Sequence, residues 1–115
     1  MSQKTVSSYL LVLCTCPDRE TALGLARRLV DDRVAACVNV VDGLTSVYRG
    51  KEGLKEDPEA LMLIKTDARR YRDLEEAIVR DHPYELPEVI AVRIERGLEE
   101  YLAWITGSTD ASGGQ

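Results

Sequence analysis

Two short stretches carry the side chains that could do chemistry. The first is Cys14-Thr-Cys16. On an extended chain, residues i and i+2 share a face, with Cα atoms about 6.6 Å apart at a rise of ~3.3 Å. Two thiolates placed this way could converge on one soft metal ion such as Cu(I). Cysteine is also a small core hydrophobe, and spacing alone favours that use. Cys37, within Ala35-Ala-Cys-Val-Asn39, reads as core packing. The second stretch is His82-Pro-Tyr-Glu-Leu-Pro-Glu88, with one imidazole, one phenol (Tyr84) and two carboxylates (Glu85 and Glu88) held by two prolines. Rigid loops are where binding groups are usually mounted, and an imidazole near a carboxylate and a thiolate suits copper or zinc. A histidine bonded to backbone beside an exposed pair of acids accounts for the same residues. The sequence leaves both readings open.

Most other catalytic signatures are absent. There is no G-x-x-x-x-G-K-[ST] phosphate loop, no G-x-G-x-x-G and no G-x-S-x-G elbow. The single histidine excludes H-E-x-x-H and leaves no second base for a nucleophile–base pair. The pairs Asp31-Asp32, Glu75-Glu76 and Glu99-Glu100 fall on helical stretches, where adjacent residues point apart, so they read as solvated faces. The chain is expected not to be an enzyme.

The elements that must hold these groups can be read from periodicity. Tyr9 to Cys16 is almost wholly apolar, as a strand covered on both faces would be. Asp18 is a good N-cap, and Ala22, Leu25, Ala26, Leu29 and Val30 follow at helical spacing. Ala36 to Val41 reads as a second strand closed by Asp42-Gly43, with Leu44 to Tyr48 able to continue it. Gly50-Lys-Glu-Gly53 supplies a turn and Ala60 to Thr66 a third strand, which together suggest a long hairpin with a polar tip. Thr66 or Asp67 caps a second helix carrying Tyr71, Leu74 and Ile78. The prolines keep His82 to Glu88 from being helical throughout. Val89 to Ile94 gives a fourth strand and Leu98 to Ile105 a last short helix.

The order is βαββαβ plus a terminal helix. Two right-handed crossovers joined by a hairpin make an α+β, ferredoxin-like sandwich of four antiparallel strands. Residues 1–8 form a short extension, 9–108 one domain, and 109–115 a small, polar tail expected to be disordered. The strands are apolar on both faces while about three helices are available to cover them, which implies self-association.

Composition bounds the partners. The chain has 115 residues, one domain's worth, with 15 Lys and Arg against 20 Asp and Glu, a net charge of −5. That argues against binding a nucleic-acid backbone or an anionic membrane surface. No apolar run approaches the ~20 residues that cross a bilayer. Three cysteines and no export signal make a disulfide framework unexpected and the cytoplasm the default location.

Taken together, the segments resemble the CutA divalent-cation tolerance family. The residues that carry the resemblance are Leu13-Cys-Thr15 with Pro17-Asp18, Ala35-Ala-Cys-Val-Asn39, Ser46-x-Tyr48, Glu59, Leu63-Ile-Lys-Thr66, His82-Pro-Tyr84, Pro87-Glu88 and Tyr101-Leu-x-Trp104. The resemblance implies a tight homotrimer whose hairpin strands pair between subunits. It also implies a copper-binding or signalling module that responds to divalent metal ions, with copper, zinc or another divalent cation as ligand. By the same resemblance the metal ligands are Cys14, His82 and Glu88. Cys16 stands where the family commonly has alanine and adds a soft donor. The family's tryptophan and glycine near the hairpin tip are replaced by Gly50 and Glu52. An alternative expectation, by analogy with trimeric nitrogen-regulatory proteins, is a nucleotide-type sensor. There Arg49 and Lys65, with Tyr84 and Glu85, would line clefts between subunits.

Overall fold

In the computed structural model, residues 8–111 are described. Strand β1 (Tyr9–Cys16) leads into helix α1 (Arg19–Asp31), then β2 (Cys37–Gly50), β3 (Gly53–Asp67), a 3-10 turn (Ala68–Arg70), α2 (Tyr71–Asp81), β4 (Ile90–Ile94) and α3 (Glu99–Ser108). The sheet order is β2-β3-β1-β4, antiparallel throughout, as two β-α-β crossovers require. Asp18 caps α1 as its sequence position predicts, its Oδ1 accepting from the Thr21 N–H at 2.8 Å.

The expected elements are present, with three boundary changes. β2 does not close at Asp42-Gly43. It bulges there, shifting register between Val41 and Leu44, and Gly43 takes φ +83°, a conformation glycine adopts at no cost. β3 starts at Gly53, well before Ala60, because its first half pairs with the far half of β2. The second helix is preceded by a 3-10 turn, since the Asp67 carboxylate caps the Arg69 N–H at 2.9 Å. Thr109, the first residue of the expected tail, is buried and donates its hydroxyl to Ile105 O at 2.8 Å. Residues 1–7 and 112–115 lie outside the described residues.

The core lies on one face of the sheet. Val12, Cys14 and Cys16 of β1 register with Ile64, Met62 and Ala60 of β3, and this layer packs on Leu25 and Leu29 of α1 and Leu74 and Ile78 of α2. α3 lies on the other face, at one corner: Tyr101 sits 5.9 Å from the Lys65 ammonium, and the Tyr9 hydroxyl bonds Thr106 at 2.7 Å. Among the described residues, no helix lies over the rest of that second face. There Leu11, Leu13, Leu61 and Leu63 share a surface with Val41, Ile90 and Val92, the last three 40%, 53% and 50% exposed.

Candidate functional site

The alternation of β1 turns both thiols into the core at its C-terminal end, and His82, the residue that ends α2, reaches the same point. Cys14 and Cys16 are fully buried and His82 nearly so. One donor atom from each of the three lies within 4.8 Å of the others, with Cys16 Sγ 3.7 Å from His82 Nε2. Hydrogen bonding to Cys16, then burial, push the Cys14 thiol well above the usual thiol range; the same bond lowers Cys16.

The surroundings fix the imidazole tautomer. Nε2 lies 2.8 Å from Thr15 O, a carbonyl that can only accept, so Nε2 carries the hydrogen. Nδ1 lies 3.0 Å from the Tyr84 N–H, which can only donate, so Nδ1 holds the lone pair. The ring is thus bonded at both nitrogens. His82 is tied to backbone at both nitrogens and also faces two sulfurs.

Glu88 is not part of this cluster. Its Oε1 accepts from the Thr15 hydroxyl at 3.4 Å, and Thr15 projects to the opposite face of β1 from its two cysteine neighbours. There it borders an open cleft of about 600 Å³ at the root of the β2–β3 hairpin, lined also by Ser46, Tyr48, Asp57, Glu59, Tyr84 and Leu86. Glu59 accepts from the Ser46 hydroxyl at 2.6 Å and the Tyr84 hydroxyl at 2.7 Å, and Tyr48 donates to Asp57. Burial, then donation to Glu59, push the Tyr84 phenol up; donation to Asp57 pushes Tyr48 up. Both stay neutral donors at physiological pH.

Of the four residues expected in clefts between subunits, Tyr84 lines this cleft of the single chain. Arg49 registers with Leu54 near the hairpin tip and Lys65 with Cys37 and Leu11. Leu54 and Lys65 are eleven residues apart on β3, roughly 36 Å at the strand rise, so one chain cannot bring both cations to one ligand. Glu85 is exposed on the loop. The cleft carries three carboxylates and no Lys or Arg among its lining residues, the wrong sign for a nucleotide phosphate. Sequence reasoning did not single out Asp57. The signal was present: Ser46 and Tyr48 each reach an acid diagonally across the hairpin, a pairing visible once the turn is fixed at Gly50-Gly53.

Residues 10–108 match the family described as CutA1 divalent ion tolerance protein. The chain is 44% identical over 99 residues to "Divalent-cation tolerance protein CutA" of Thermus thermophilus, which covers 86% of this chain and 96% of that protein. The solved structure from that organism superposes with a TM-score of 0.82, covering 84% of this chain and 94% of that one. "Protein CutA, chloroplastic" of Arabidopsis thaliana is 42% identical over 108 residues, 94% of this chain. The chain spans 59% of that plant protein's length. The crystal structure of CutA1 from Oryza sativa, 37% identical, gives a TM-score of 0.88 over 92% of this chain and 97% of that one.

Proposed function

The chain belongs to the CutA1 divalent ion tolerance family, and from that premise we propose that it acts in the cell's tolerance of divalent metal ions, copper first among them, as a cytoplasmic homotrimer that binds the ion without catalysing a reaction. The observation that carries this reading is the convergence of Cys14, Cys16 and His82 at the end of β1. Thiolate with imidazole is a donor set that suits copper and zinc. In this reading Cys14, His82 and Glu88 hold a divalent ion and Cys16 adds a second sulfur. Two local rearrangements accompany binding: the His82 hydrogen passes from Nε2 to Nδ1, so that the ring gives up both Thr15 O and the Tyr84 N–H, and movement of the loop brings Glu88 around from Thr15. The uncovered apolar face supports the trimer, because three copies could bury it against one another. A location in the cytoplasm agrees with three free cysteines. No helix among the described residues is long and apolar enough to cross a membrane.

The test is native mass spectrometry of chelator-stripped protein titrated with copper. A trimer that takes up three ions at low micromolar concentration supports assembly and one site per subunit together. A trimer that stays bare at saturating copper overturns the metal-binding reading and leaves the family membership intact.

A further inference from the structure

Cys16 gives the buried cluster a donor pair that a divalent ion does not require. We infer that Cys14 and Cys16 together form a two-sulfur clamp for a reduced, thiophilic ion, Cu(I), with His82 donating a hydrogen bond to the clamp and not ligating the metal. This rests on the reading that the cluster binds copper, and it specifies the oxidation state and the ligands.

Geometry selects the arrangement. A thiolate–metal bond is about 2.3 Å long, so an ion held in line between two sulfurs separates them by about 4.6 Å. The two Sγ atoms lie no more than 4.8 Å apart on one face of β1, both fully buried, so the two sulfurs can reach one ion. His82 cannot supply a third ligand without rearrangement. Its Nε2 carries the hydrogen that bonds Thr15 O, and its Nδ1 lone pair is engaged by the Tyr84 N–H. The same Nε2–H is 3.7 Å from Cys16 Sγ, placed as a weak donor to the sulfur. Binding releases two thiol protons to solvent, so the two thiolates and Cu(I) carry one net negative charge. A buried anion of that kind needs a donor, and the imidazole N–H provides one. Thiolate softness favours Cu(I) over the oxygen-preferring divalent ions, and the ion arrives already reduced, so no electron transfer is involved.

Cu(I) supplied anaerobically against a chromophoric Cu(I) chelator tests this, with Cu(II) titrated separately. Cys16→Ser keeps the volume and should lower Cu(I) affinity at least about a hundredfold while lowering Cu(II) affinity by far less, because Cys14, His82 and Glu88 still hold the divalent ion. His82→Ala should lower Cu(I) affinity by only about tenfold, as loss of a supporting hydrogen bond does. X-ray absorption of the Cu(I)-loaded parent protein, which needs no variant, should show two sulfur ligands and no nitrogen. Cu(I) affinity unchanged in Cys16→Ser, or a nitrogen ligand lost in His82→Ala, would overturn the clamp while the divalent reading stands. Strong, Cys16-dependent Cu(I) binding with no Cu(II) binding would do the reverse.

Discussion

His82 has two roles that a single substitution separates. Its ring satisfies Thr15 O and the Tyr84 N–H, so His82→Ala leaves two polar backbone groups near the core without partners. The metal-free protein should lose about 1–3 kcal/mol of stability, read by denaturant unfolding. Independently, Cu(II) affinity should fall at least about tenfold, or roughly 1.4 kcal/mol. A stability loss with no change in Cu(II) affinity would make His82 a structural residue alone. At this scale the sequence is legible where the geometry is local. The shared face of Cys14 and Cys16 follows from strand alternation, and the N-cap role of Asp18 from its position before an apolar periodicity. The separation of Glu88 from the sulfurs was not legible, because it depends on the path of a seven-residue loop around the end of β1. Nothing local in His82-Pro-Tyr-Glu-Leu-Pro-Glu88 says which side of that strand the loop's far end will meet.

Between elements, Asp67 joins β3 to both the turn before α2 and the end of α3. Its side chain is fully buried; it accepts from Arg69 at 3.0 Å through each carboxylate oxygen and from Thr106 at 3.3 Å. Burial pushes this carboxyl up, but the bonds from the Arg69 side chain and backbone, that guanidinium's charge and Thr106 outweigh it and hold the group below the usual carboxylate range. A carboxyl depressed on folding stabilises above its unfolded value near 4 and loses that contribution as pH falls through its folded value. Asp67→Asn should therefore cost about 1.5–2 kcal/mol at neutral pH, the lower part of the range for charged hydrogen bonds because Arg69 is half-exposed. The difference from the parent should shrink in acid. Urea unfolding at pH 7 and pH 3 reads it; a gap of equal size at both would assign the loss to packing. The element order and the second crossover were legible from periodicity. The length of the hairpin was read only in part, because Asp42-Gly43 looks like a terminator and becomes a bulge inside a continuous ladder. The side on which α3 docks depends on contacts with Tyr9 and Lys65, remote in sequence, and no periodicity encodes it.

The whole molecule has a shape that one copy does not explain. The outer halves of β2 and β3, from Leu44 to Glu59, extend past β1, which pairs only with Ala60 to Asp67. Seven residues at the strand rise make an arm of about 23 Å, and the molecule is 56 Å long but 22 Å thick. Its radius of gyration of 15.6 Å exceeds the ~13 Å of a compact domain of this size. An isolated two-stranded ribbon is marginal in water, and this one stands beside a sheet face carrying Leu11, Leu13, Leu61, Leu63, Ile90 and Val92. Both features are answered by one arrangement, in which copies bury the face and pair along the arms. Burying a whole aliphatic side chain contributes about 1.5–3 kcal/mol, so the half-exposed Ile90 and Val92 would each add about 1 kcal/mol per subunit. Replacing both with lysine, Ile90→Lys with Val92→Lys, removes that gain and places charges where the copies meet, a cost larger than the gain itself. Sedimentation velocity should then show a monomer for the variant and the proposed trimer for the parent, and the parent's melting temperature should rise with protein concentration while the variant's does not. A variant that stays trimeric would place the interface elsewhere and leave this face for a different partner. A parent that is itself monomeric at micromolar concentration would mean that the arm is stable alone, through cross-strand pairs such as Ser46 with Glu59 and Tyr48 with Asp57.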